Sequence, residues 1–169
     1  MKSACQRWAS AELRAGVGAG WYEKDYATYG YEFGTWKLRF DLFDAGLERI
    51  EARFGQLIPP PVRKIPILIG GTGPTRTLPA VARYADIWHT FLSVEAFTEA
   101  SARVEELALA ADRSGNDIER WVHWFGAPSA EAYRAAGATT FITEIAPDAT
   151  TGYDFGTVEE MLAWRERHR

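Results

Sequence analysis

The chain has 169 residues, 47% of them hydrophobic, which is the size of one domain and enough to bury a core. Its net charge of −4, from 19 basic and 23 acidic residues with no basic cluster beyond the Arg165 to Arg169 tail, disfavours nucleic acid as a partner. A single cysteine, Cys5, excludes an internal disulfide and a thiolate metal cluster. No window approaches the roughly 20 continuous apolar residues of a membrane span, and Met1 to Ser10 lack the apolar core of a secretion signal, so a cytoplasmic protein is expected.

In chain order, the apolar run Leu13 to Val17 predicts a strand that stops in the glycine turn Gly16 to Trp21. Tyr22 to Trp36 reads as loop or short helix. Phe43, Leu47, Ile50 and Phe54 share one face and predict a helix over Leu38 to Phe54, ended before Pro59-Pro60-Pro61. Ile67 to Ile69 is too short for a helix and reads as a buried strand, which breaks into Gly70-Gly71-Thr72-Gly73. Leu78, Val81, Ala82 and Ala85 then follow at helical spacing.

Asp86 to Phe91 is a third strand. A long helix over Val94 to Arg113 has Ser93 as N-cap and Gly115 as stop. Trp121 to Phe125 is a fourth strand, Ala130 to Ala136 a short helix closed by Gly137, and Thr139 to Ile145 a β-branched fifth strand. Pro147 to Gly156 reads as loop, and Thr157 with Glu160 as the capping box of a last helix to about Arg167.

Five strand–helix units in strict alternation predict an α/β domain with parallel strands and no internal linker, a single domain over 1–169. Two architectures fit. Length favours a doubly wound open sheet, because an eight-unit β/α barrel usually needs about 250 residues.

A strand, a glycine turn and a helix start leave backbone N–H groups aimed outward with the positive end of the helix dipole behind them. The stretch Ile67 to Ala85 is such an arrangement and could hold a phosphate. It is neither a P-loop nor Gly-x-Gly-x-x-Gly, and a tight turn that needs glycine for its backbone angles explains it equally.

Three segments bring a further constraint. Leu13 to Gly30 with Arg39-Phe40-Asp41, Pro66 to Gly73 with Thr77-Leu78-Pro79 and Ala82 to His89, and Gly152 to Gly156 leading into Leu162 to Arg165 together resemble the bacterial luciferase-like family of monooxygenases. The likeness is greatest to the oxidoreductase branch that uses the deazaflavin coenzyme F-420. The resemblance implies a (β/α)8 TIM barrel of which this sequence matches the C-terminal part, from about the fourth strand onward. The first three strand–helix units have no counterpart, and the excursion that relatives carry between Phe54 and Pro59 is reduced to Gly55-Gln56-Leu57-Ile58. A fragment, a broken reading frame and a naturally short form are all consistent with that pattern.

The resemblance also implies a site at the C-terminal mouth of the barrel. Gly71, Thr72, Gly73 and Thr75 would hold the cofactor phosphate, Trp88 and His89 would face the ring, and Gly18, Gly20 and Trp21 would border the cofactor. An aromatic in a buried strand is also ordinary packing, so Trp88 has a core reading beside the ring reading. The family's proton-transfer groups come largely from early strands, so no catalytic residue is assigned. Glu23 and Asp25 read as solvated charges, and His89, His123 and His168 have no metal-site spacing.

The expected activity is hydride transfer between a deazaflavin, or alternatively FMN, and a small organic substrate. Two other readings stay open: a non-catalytic barrel remnant that self-associates into a homo-oligomer through exposed strand edges, and an open-sheet phosphate- or nucleotide-binding module.

Overall fold

A computed structural model describes residues 13–145, 147–148 and 152–168. Cys5 and the Met1 to Ser10 segment lie outside the described residues. Five strands, β1 (Ala15–Val17), β2 (Ile67–Gly70), β3 (Ile87–Thr90), β4 (Glu119–His123) and β5 (Thr140–Ile142), form one sheet in the order β1-β2-β3-β4-β5. Every neighbouring pair is parallel. Strands that follow one another across the sheet without reversal are the order of a β/α barrel, whereas a doubly wound sheet reverses at a switch point. The order therefore decides for part of a barrel, against the argument from length. Among the described residues, β1 and β5 each have one edge with no neighbouring strand.

The helices are α1 (Glu23–Tyr29), α2 (Trp36–Phe54), α3 (Thr77–Tyr84), α4 (Val94–Ala110), α5 (Ala127–Ala135) and α6 (Gly156–Arg167). Alternation along the strands sorts the two faces of the sheet. Ile67, Ile69, Trp88 and Val122 point to the helices and join Phe43, Leu47, Val81, Phe97 and Val104 in the core. Leu68, His89, Trp121 and His123 point the other way and are half-buried. A second cluster, Trp124, Ala130 and Trp164 with Phe141 and Met161, seats α6 against β5.

Local chemistry sets the boundaries. Thr35 accepts a hydrogen bond from Leu38 N at 3.2 Å, so α2 starts two residues before the predicted Leu38. Ser93 caps α4 as expected, accepting from Ala96 N. The helix ends at Ala110 and not at Arg113, because Arg113 is drawn away to the end of α3, where its guanidinium donates to the carbonyls of Ala82 and Ala85 at 3.0 and 2.9 Å. Gly115 sits in a separate 3-10 turn, packed so closely that an added Cβ would lie 2.7 Å from Glu105 Cγ.

Strand β4 lies two residues earlier than Trp121 to Phe125. Arg120 is buried within it, its guanidinium held by Glu105 at 2.8 Å, and a buried arginine breaks the apolar run that the sequence reading followed. The expected capping box of the last helix does not form. Phe155 is the N-cap and gives no side-chain bond, while Glu160 accepts from Ala127 N at 3.1 Å and from Trp124 Nε1 at 3.3 Å, capping α5 in place of its own helix. The predicted loop after Ile145 contains a short antiparallel pair, β6 (Pro147–Asp148) with β7 (Gly152–Tyr153). No helix among the described residues is long and apolar enough to cross a membrane.

Candidate functional site

Parallel α/β folds gather their ligands at the C-terminal ends of the strands. At the ends of β1 and β2 lies a cleft of about 430 Å³, lined by Gly18, Ala19, Gly20, Trp21, Trp36, Arg39, Phe40, Phe43, Gly70, Gly71 and Thr77. Two loops some 50 residues apart in sequence thus meet in one place, the Gly18 to Trp21 loop and the turn that starts at Gly70. A larger cavity of about 520 Å³ lies between β5, α5 and α6, away from these strand ends.

The first loop is fixed from two sides. Gly20 has φ +70°, and a Cβ there would fall 2.0 Å from the Tyr26 hydroxyl, so glycine is required. Arg39 Nε donates to the Gly20 carbonyl at 3.1 Å, while its Nη1 donates to the Gly34 carbonyl at 3.0 Å and the guanidinium stacks 3.8 Å from the centre of the Phe33 ring. Trp21 is left 85% exposed at the rim.

The second turn is pinned to β3. Gly71 N donates to the His89 carbonyl at 3.1 Å, and Trp88 Nε1 donates to the Gly71 carbonyl at 2.8 Å. The turn wraps the buried Thr77. An added Cβ would lie 3.3 Å from Thr77 Cγ2 at Gly71, whose φ is +116°, and 3.0 Å from Thr77 Oγ1 at Gly73. Leu78 N donates back to the Gly73 carbonyl at 2.9 Å, and the helix ladder of α3 begins with Ala80 N donating to the Arg76 carbonyl at 3.2 Å, so the N–H groups of Thr72 and Gly73 take no part in it.

These features fit an anionic group. The glycines hold the backbone open, the Thr72 hydroxyl is exposed, and Arg39 is the single charged residue among those lining the cleft.

The sequence-predicted residues separate into three places. Gly18, Gly20, Trp21 and Gly71 come together in the cleft, with Thr72 and Gly73 continuing the turn. Thr75 does not join them. It lines a smaller cavity of about 240 Å³ between α2 and α3 with Asp44, Glu48, Arg76 and Arg83, where two carboxylates oppose an anion. Arg76 is already committed there, bound to Asp44 at 2.5 Å and Asp41 at 3.1 Å, and hydrogen bonds from Lys37 first and Arg76 second hold the Asp41 carboxyl below its ordinary range.

Trp88 and His89 occupy opposite faces of β3. Trp88 is fully buried, stacked on Phe97 at 5.8 Å between ring centroids, so its position matches the core reading and not a ring contact. Its indole nevertheless reaches the site through Gly71. His89 points to the open face, and burial, followed by the neighbouring His123, pushes its pKa below the usual imidazole value, with Glu144 acting weakly the other way.

Trp36, Arg39, Phe40 and Phe43 were missed as site residues. Trp36, Phe40, Phe43 and Leu47 follow helical spacing, so the signal was the apolar face of α2 extended one turn toward its start.

Comparison with known proteins places this geometry. An F-420-dependent secondary alcohol dehydrogenase in complex with an F-420-acetone adduct superposes with a TM-score of 0.68 at 14% identity, over 82% of this chain and 66% of that one. The coenzyme F-420-dependent tetrahydromethanopterin reductase from Methanopyrus kandleri matches with a TM-score of 0.48 at 16% identity, over 65% of this chain and 40% of that one. The chain thus spans less than two thirds of the length of either structure. No curated protein matches the sequence significantly. The first likeness agrees with the strand order in giving the fold as part of a β/α barrel. The model of the luciferase-like monooxygenase family matches residues 13–166, nearly all of the described chain, and the chain belongs to that family.

Proposed function

We propose that the chain is the cofactor-holding part of an F-420-dependent oxidoreductase, transferring a hydride between the deazaflavin and a small organic substrate. The observation that carries this reading is the convergence of the Gly18 to Trp21 loop and the Gly70–Gly71 turn on one cleft in which Arg39 is the charged residue. The fold likeness to an F-420-dependent alcohol dehydrogenase supports it.

When bound, the deazaflavin supplies the hydride chemistry; the protein supplies binding and orientation. Thr72 and Gly73 hold the phosphate through their backbone N–H groups and the Thr72 hydroxyl, Gly71 lets the backbone approach it closely, and the positive end of α3 lies behind them. Trp21, Trp36 and Phe40 present aromatic surface along the cleft and exclude water from one side of it. Arg39 fixes the loop through the Gly20 carbonyl and adds positive charge.

The test is a titration of the purified chain into F-420, followed by deazaflavin fluorescence. Saturable binding that Trp21→Ala weakens severalfold supports the proposal, since this exposed side chain contributes little to folding. Equal binding by wild type and Trp21→Ala removes the cleft from the account. Saturable binding of FMN in place of F-420 would assign the flavin instead.

A further inference from the structure

The cavity of about 520 Å³ between β5, α5 and α6 takes no part in the reading of the cleft. Ala138, Thr139 and Thr140, where the chain enters β5, form its floor. All five strands are parallel, so these residues stand at the end of the sheet opposite the C-terminal ends of β1 and β2. The volume is that of a site for a small organic molecule, typically about 300–1,000 Å³. One wall consists of three rings locked edge to face. Trp124 and Phe141 are 5.5 Å apart between centroids, Trp124 and Trp164 5.7 Å, and Phe141 and Trp164 5.2 Å. Leu162, large and apolar yet 45% exposed, stands beside that wall on α6.

Charge in the cavity has one sign. Arg134 and Arg165 line it and no acidic residue does, although the chain as a whole carries a net charge of −4. Each arginine lies in the last turn of its helix, where a positive charge offsets the dipole, but that role does not bring both to one cavity. Neither guanidinium is consumed. Arg134 meets Glu131 at 3.8 Å, beyond hydrogen-bond reach, and the pair of Arg165 with Glu166 at 3.1 Å is exposed and weak. His168 is already engaged at both nitrogens, with the Glu131 carboxylate and the Trp164 carbonyl each at 2.7 Å, and its ring stacks on Trp164 and braces the wall.

We infer that this cavity is a second ligand site, and that it takes a flat aromatic molecule bearing one carboxylate. The aromatic body lies against Trp124, Phe141 and Trp164, and the carboxylate accepts hydrogen bonds from the Arg134 and Arg165 guanidinium groups at the rim. The two halves of the cavity select the class together. A neutral aromatic leaves the guanidinium groups unanswered, and a small aliphatic acid leaves the ring wall uncovered. The inference stands independently of the reading of the cleft, which lies at the other end of the strands.

Indole N–H spectra of the ¹⁵N-labelled chain test the inference, with 2-naphthoate as the probe and 2-naphthalenemethanol and acetate as controls. The expected result is a saturable shift of the Trp124 and Trp164 signals with a Kd below about 1 mM for 2-naphthoate, while Trp21 in the cleft does not move. Both controls bind at least about tenfold more weakly. Arg134→Gln and Arg165→Gln, changes at half-exposed side chains that leave the ring wall intact, each weaken 2-naphthoate at least about threefold. Absence of saturation up to about 10 mM overturns the site, as does equal binding of the alcohol. Unchanged affinity in both arginine variants, or a shift at Trp21 in place of Trp124 and Trp164, overturns it too. If a second copy of the chain fills the cavity, the two signals move with protein concentration alone and 2-naphthoate has no effect, which also refutes the assignment.

Discussion

Trp88 does not line the cleft, yet its indole is both core packing and the anchor of the turn that lines it, and Trp88→Phe separates these two roles. The substitution removes the bond from Nε1 to the Gly71 carbonyl and leaves the ring stacked on Phe97. At a fully buried site, phenyl is roughly 40 Å³ smaller than indole, which at about 24 cal/mol per Å³ of cavity comes to about 1 kcal/mol. The lost hydrogen bond adds about 1 kcal/mol, for a total near 2 kcal/mol. Urea unfolding followed by far-ultraviolet circular dichroism measures it.

Phe97→Leu is the control, because it removes the stacking partner of Trp88 with a stability loss of about 1–2 kcal/mol but leaves the indole bond in place. With Gly71 released, F-420 affinity in Trp88→Phe falls about tenfold, equivalent to about 1.4 kcal/mol, and in Phe97→Leu it changes less than about twofold. Equal affinities in the two variants would refute the claim that the indole positions the turn.

Two glycines invite opposite outcomes. Gly71→Ala places a Cβ at positive φ and 3.3 Å from Thr77 Cγ2, and costs about 1–2 kcal/mol in the same unfolding assay. Gly18→Ala meets nothing within 4 Å in the free protein, so stability stays within about 0.5 kcal/mol while the methyl protrudes at the cleft and weakens F-420 binding in a fluorescence titration.

His89 sets a pH dependence. Its folded pKa lies below the ordinary value of 6.5, so near and below that pH the unfolded chain binds more protons than the folded one. Stability from this group is therefore present at neutral pH and is lost as pH falls through 6.5 toward the folded pKa. Tm measured from pH 8 downward drops in that window in the wild type, and His89→Gln flattens the drop.

Much of this was legible in the sequence, for physical reasons that differ between elements. The apolar run Ile67 to Ile69 breaking into glycine could only be a strand end, and β2 and its turn stand where that pattern put them. Ser93 and Gly137 acted through local backbone chemistry, so the start of α4 and the end of α5 were readable from single residues. Glu160 was not. Its spacing from Thr157 matched a local cap, but its carboxylate found better donors across the fold at Ala127 and Trp124. Trp88 and Thr75 show the same limit at the site: residue type cannot say which face of β3 an indole takes, or that Asp44 and Glu48 of α2 crowd the far side of the turn. The pairing of the Gly18 loop with the Gly70 turn depends on β1 and β2 being neighbours, which no local pattern encodes.

The central claim is that the Gly71 to Gly73 turn grips a phosphate. The direct measurement compares the affinity of the chain for F-420 with that for the same deazaflavin chromophore lacking the phosphate, by fluorescence under identical salt. The account predicts that removing the phosphate weakens binding at least about tenfold, and that Gly71→Ala removes most of this difference. Equal affinity for the two molecules would contradict it.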